Sequence, residues 1–188
     1  MQADQVQKMF DEAMAKSPRD FLILTLFRWG LTLGEVVGYR DLPGIHKEDL
    51  RENGVWIRGK GWAGGAKTGK ETEERIEGLY QLPPDVLRQL AARAALAPPG
   101  GKVFGVSGRQ TERIVKEYAR LAGVEDWHLI GPHRLRAFFA TDARDKGVEG
   151  LLIRDMMRHK DIGDTNTYVG RASAIKIQSA VDDLSRTG

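Results

Sequence analysis

The chain has 188 residues, 41% hydrophobic and 29% charged, a size and balance that suit one well-packed globular domain and exclude a disordered or fibrous protein. Twenty-nine Lys and Arg stand against twenty-six Asp and Glu, and the pI near 9.2 permits a polyanionic partner without demanding one. With no cysteine, disulfides, thiolate metal sites and a cysteine nucleophile are excluded, and the four histidines (46, 128, 133, 159) include no i, i+4 pair of the kind a helical zinc site uses.

Residues 3–15 and 19–29 carry helical apolar spacing, and the block FLILTLFRW in the second predicts burial. Gly30 stops that helix. The longest apolar stretch, FLILTLFRWGLTLGEVVGYR, is interrupted by Arg28, Gly30, Gly34 and Glu35, so no membrane span is predicted. The N-terminus MQADQVQKMFDEA lacks the regions of a signal peptide, and the expected location is cytoplasmic. Thr32-Leu-Gly-Glu35 has the form of a capping box and predicts a short helix through about Tyr39. Beyond Pro43 and Gly44, residues 54–59 and 75–82 read as two antiparallel strands around the glycine- and lysine-rich excursion GKGWAGGAKTGKETEE. Helices follow at about 85–97, 108–122 (opened by Ser107-x-x-Gln110), 133–146 and 151–157, with a short strand at Val103-Phe104. A terminal helix carries Ala174, Ile177, Val181 and Leu184 on one face. The pattern predicts a mainly α domain with a small antiparallel β-sheet, an α+β fold in a single domain over 1–188.

Basic residues gather at 58–70 and 134–160, and the stretch RHKDIGDTNTYVG at 158–170 sets a histidine and a tyrosine nine positions apart across turn-forming residues. A packed surface aromatic and a helix-terminal histidine would each explain one of these residues alone. Upstream, PHRLRAFFATDARDKG puts His133 and Arg136 three apart near a helix start, so both can project from one face, with Phe138, Phe139 and Ala140 as anchors. Together with Lys67, this is a hydroxyl nucleophile among cationic partners without a carboxylate pair. Such an inventory suits attack on a phosphodiester, whose transition state spreads negative charge over its oxygens, and does not suit glycoside chemistry.

The segments HRLR followed by AFFAT, MMRHKDIGDTNTYVG, and KTGK in a strand-flanked loop resemble those of the tyrosine site-specific recombinases, the phage integrases and Xer-type enzymes. The resemblance runs from the first helices to Tyr168 and implies the compact, mostly α catalytic domain with a three-stranded sheet. It implies that Tyr168 attacks the scissile phosphate to form a 3′-phosphotyrosyl link and release a 5′-hydroxyl. Arg136 would hold a non-bridging oxygen, His133 and His159 would contact the phosphate and help move protons, and Lys67 would be the general acid. Lys60 and Lys70 share the lysine loop and could replace Lys67; with Arg109 they are expected DNA contacts. Since the covalent link keeps the energy of the broken bond, no ATP, metal or other cofactor is expected. The implied partner is double-stranded DNA, on which a chain monomeric when free would assemble, as a tetrameric synapse, with the helix at 171–188 docking on a neighbour or packing on its own domain.

Two features depart from the family pattern. Where the family has Gly-Leu-Arg-x-x-Glu, this chain has Gly30-Leu31-Thr32-Leu33-Gly34-Glu35, so the first catalytic arginine is a threonine, with Arg28 and Arg40 one and two turns away. The chain also begins where the catalytic domain would, without the N-terminal helical clamp domain, as expected of an excised fragment or a minimal recombinase. The expected function is site-specific DNA recombination or integration. The alternatives are a DNA-binding module of the same fold with cleavage impaired by Thr32, and a type IB topoisomerase-like enzyme that relaxes DNA.

Overall fold

A computed structural model describes residues 1–40, 42–58, 78–157 and 174–186. Helix α1 (Ala3–Lys16) and helix α2 (Pro18–Arg28) meet at Ser17, whose side chain accepts the backbone N–H of Asp20 and caps α2 ahead of Pro18. Nearly all of α2 from Leu22 to Phe27 is buried, as its continuous apolar run requires. Helix α3 (Leu33–Val37) is shorter than its sequence suggests: Gly38 ends it, and Tyr39 and Leu42 pair across a tight reversal. Three short strands, β1 (Leu50–Arg51), β2 (Gly54–Ile57) and β3 (Gly78–Gln81), form an antiparallel sheet in the order β1-β2-β3, with Val55 opposite Tyr80 and Trp56 opposite Leu79. The predicted hairpin is present. Two residues of β1 are too few for an alternating pattern to reveal, and Val103-Phe104 is no strand: Lys102 makes only an isolated bridge to His46, while Val103 and Phe104 are buried as loop residues.

Helices α4 (Pro84–Ala95), α5 (Gly108–Leu121), α6 (Pro132–Asp145), α7 (Gly150–Met157) and α8 (Ala174–Arg186) complete the described chain. The main core joins α1 to α5 and the sheet through side chains such as Met9, Phe27, Val55, Leu90 and Val115. A second cluster joins Phe139 and Ala143 of α6, Ile153, Met156 and Met157 of α7, and Ala180, Val181 and Leu184 of α8, and Trp29 packs against both clusters. Thus α8 rests its apolar stripe on its own chain; the side chain of Ala174 lies outside the described residues. Burying Val181 and Leu184 stabilises this seat by about 1.5–3 kcal/mol each. Among the described residues no helix is long and apolar enough to cross a membrane.

Two polar junctions lock elements together. The Tyr118 hydroxyl of α5 donates to Asp20 of α2, and burial, reinforced by the Asp20 carboxylate, pushes the Tyr118 phenol up to about 12. At the exit of β2, Arg58 meets Asp49 at 2.6 Å, with the two side chains only 15% and 3% exposed, and Asp49 also accepts the His46 backbone N–H. Removing one partner of such a buried pair strands the other. Asp49→Ala is therefore expected to lower stability by about 3 kcal/mol, read as a lower urea midpoint at unchanged m-value.

Candidate active site

Helix α6 carries two of the candidate residues. Gly131 precedes its first turn, Pro132 occupies N1 where no intrahelical N–H is needed, and Leu135, Phe139 and Ala143 recur at helical spacing on the buried face. Arg136 shares that inner side and is 7% exposed. A guanidinium so buried needs partners, and it donates to the carbonyl of Met157, the last residue of α7. His133, one turn earlier, is exposed. The spacing of three that would set both residues on one face thus puts them at different depths: Arg136 ties α6 to the end of α7, and His133 faces solvent.

The stretch leading to Thr32 is held against the same helix. Tyr80 of β3 donates its hydroxyl to the carbonyl of Trp29, and the Trp29 and Phe139 rings lie 6.0 Å apart. Gly30 has φ 91° and passes so close to α6 that a Cβ there would lie 3.2 Å from the Phe139 ring and 3.0 Å from the Tyr80 oxygen. A left-handed turn in that space suits only glycine. Thr32 then caps α3: its hydroxyl accepts the Glu35 N–H at 3.4 Å, and its own N–H donates to the Glu35 carboxylate at 2.8 Å. The capping box read from the sequence is present, with Glu35 buried.

Neither nearby arginine stands in for the missing charge at Thr32. Arg28 pairs with Asp142 at 3.3 Å, farther along α6, with its guanidinium 5.1 Å from the centre of the Phe138 ring. Sequence reading did not find this pairing, because residues 114 positions apart share no local pattern. Arg40 is exposed and lies against the ring of its neighbour Tyr39. Arg109 is exposed in the first turn of α5. Lys60, Lys67, Lys70, His159 and Tyr168 lie outside the described residues, and His159 follows Met157 by two positions. Among the described residues no group of three or more His, Asp or Glu side chains is placed to hold a metal ion. A cleft of about 450 Å³ between α2, α4, α6 and α8 is lined by Arg28, Trp29, Phe139 and Asp142 and includes neither His133 nor Arg136.

Similarity to known proteins decides the family. The phage integrase family matches residues 1–174. The chain belongs to that family. Relatives within it include a tyrosine recombinase of Pseudothermotoga lettingae, 26% identical over 88% of this chain and 54% of its own length. The tyrosine recombinase XerC of Thermodesulfovibrio yellowstonii is 29% identical, over 80% of this chain and 49% of its own length. The tyrosine recombinase XerD of Neisseria meningitidis serogroup B is 31% identical, over 80% and 50%. The chain spans about half the length of these relatives. Its fold matches the crystal structure of XerA recombinase (TM-score 0.64, 17% identity, 100% of this chain and 64% of that one) and the integrase from mycobacterium phage Brujita (TM-score 0.65, 18% identity, 96% and 55%). The mostly helical domain with a small three-stranded sheet is therefore the catalytic-domain fold of phage integrases and Xer recombinases.

Proposed function

We propose that this phage integrase family chain breaks and rejoins double-stranded DNA by transesterification, as the catalytic part of a site-specific recombinase. The observation that carries the reading is Arg136: a buried arginine, one turn after His133, seated at the end of the helix that leads into His159 and Tyr168. A guanidinium fork fits two oxygens of a phosphate, and its pinning by the Met157 carbonyl orients it before substrate arrives, so little reorganisation is needed in the transition state.

In the proposed step the Tyr168 oxygen bonds to the scissile phosphorus as the bond from phosphorus to the 5′ oxygen breaks. The phenolic proton passes to a histidine, His133 or His159, and Lys67 protonates the leaving oxygen to give a free 5′-hydroxyl. Arg136 holds a non-bridging oxygen throughout. One phosphoester is exchanged for another, so attack by an incoming 5′-hydroxyl reverses the step without an external energy source. Lys60, Lys70 and Arg109 contact the DNA backbone in this scheme. Exchange between two duplexes requires four strands to be cut, one tyrosine for each, hence four protomers assembled on DNA. The apolar stripe of α8, seated in cis in the free chain, is a surface through which such protomers can exchange contacts once DNA holds them close.

A duplex nicked just beyond the scissile phosphate tests the reading, because the short product diffuses away and leaves the covalent complex trapped. With the target site presented on such a duplex, a protein–DNA adduct stable to denaturant is expected in the presence of EDTA. Duplex binding with no adduct on any site recovered from the native element would favour a binding module and overturn the enzymatic reading.

A further inference from the structure

Several arginines of the described chain are committed. Arg19, Arg28, Arg58, Arg120 and Arg154 each meet a carboxylate within 3.3 Å. Arg40 and Arg109, like Arg51, Arg88, Arg113 and Arg134, are exposed and meet no carboxylate among the described residues. The fold sets the ring of Tyr39 between Arg40 and the turn that leads into Arg109. The guanidinium of Arg40 lies 5.3 Å from the centre of the Tyr39 ring, and that ring, 44% exposed, also abuts the first turn of α5. The approach is so close that a Cβ on Gly108 would lie 2.8 Å from Tyr39 Cδ2. Arg109 is the next residue.

The backbone marks the same place. Arg40 has φ 55°, the left-handed region, and is the one non-glycine residue among those described with positive φ. Glycine or asparagine would sit there at lower cost. Apart from its stacking on Tyr39, nothing described accounts for a long cationic side chain at this strained position, and such outliers collect at ligand-binding places. Stacking on Tyr39 restricts the guanidinium before any ligand arrives, which lowers the entropy lost when it binds. Since α3 spans the gap between Thr32 and this turn, the cluster stands roughly 10 Å from Thr32.

We propose that Tyr39, Arg40 and Arg109 form a backbone clamp that grips DNA phosphates beside the cleavage centre, Tyr39 holding Arg40 in place and the two guanidiniums making the contacts. The assignment rests on the reading that the partner is duplex DNA. It concerns binding and register, and none of the three residues touches the reacting atoms.

The test is fluorescence anisotropy of the full chain with a short labelled duplex of arbitrary sequence, across a salt series, for wild type, Arg40→Gly, Arg109→Gln and Arg120→Gln. Each phosphate that a variant no longer neutralises should lower the slope of log affinity against log salt by about 0.9, so Arg40→Gly and Arg109→Gln should each show that decrease. Arg120, already bridged to Glu117 at 2.7 Å on the same helix, supplies the control and should leave the slope unchanged. Arg40→Gly carries a second readout, because glycine relieves the left-handed turn: its melting temperature should equal or exceed that of wild type. Unchanged slopes in both variants would overturn the clamp, as would an equal decrease in Arg120→Gln, which would reveal a general charge effect. A wild-type chain without salt-dependent duplex binding would instead overturn the DNA reading itself.

Discussion

Tyr168→Phe is expected to abolish the covalent adduct on a nicked duplex while leaving duplex affinity nearly unchanged. Removing one hydroxyl takes away the only atom in the scheme that bonds to phosphorus, yet leaves every cation that neutralises the backbone. The loss should be complete, because neither histidine nor lysine can form a phosphoester that survives as the 3′-phosphotyrosyl link does. Denaturing gels with an end-labelled strand read the adduct, and anisotropy reads affinity on the same samples. An adduct that persists in Tyr168→Phe would move the nucleophile elsewhere; a parallel loss of affinity would recast Tyr168 as a binding residue.

Thr32→Arg should work in the opposite direction, raising the single-turnover rate of adduct formation by about 10²–10³-fold. The family places an arginine at this position, two residues beyond the glycine that ends the long apolar helix. In this chain Trp29 and Gly30, which lead into the position, are held by Tyr80 and by Phe139 of α6, the same helix that carries Arg136. A second guanidinium would therefore add charge where the phosphate oxygens are expected. The substitution removes the hydroxyl that caps the Glu35 N–H, a loss of about 1 kcal/mol. The other half of the box survives, since the Glu35 carboxylate accepts from the backbone N–H of residue 32. Thr32→Ala separates the two effects: it should show the stability loss without the gain in rate. An unchanged rate in Thr32→Arg, with the protein folded, would place residue 32 away from the phosphate.

Much of the fold was legible because it is locally encoded. Thr32 with Glu35 and Ser107 with Gln110 announce helix starts by side-chain chemistry that acts within three residues, and the structure has a helix at each. The apolar block at 21–27 had to be buried whatever packed on it. Strand β1 was not legible, because two residues hold no periodicity, and its pairing with β2 arises from the turn between them. Val103 and Phe104 read as a strand since apolar, β-prone residues look alike whether a neighbouring strand or a helical core covers them; here the core does.

For the site, the sequence by itself determined the inventory: histidines, arginines, lysines and a tyrosine in the family's order, and a threonine where the family has an arginine. Identity and spacing are properties of the chain and survive unfolding. Depth and partnership are not. Only the tertiary structure decided that Arg136 turns inward to the Met157 carbonyl while His133 faces solvent, and that Arg28 is committed to Asp142. It also decided that the Tyr39 ring, stacked by Arg40, packs against Gly108, the residue before Arg109. A guanidinium has the same charge on a surface, in an ion pair or beneath a phosphate. What distinguishes these places is the set of groups that other elements bring within a few ångströms of it, and that set exists only once the chain has folded.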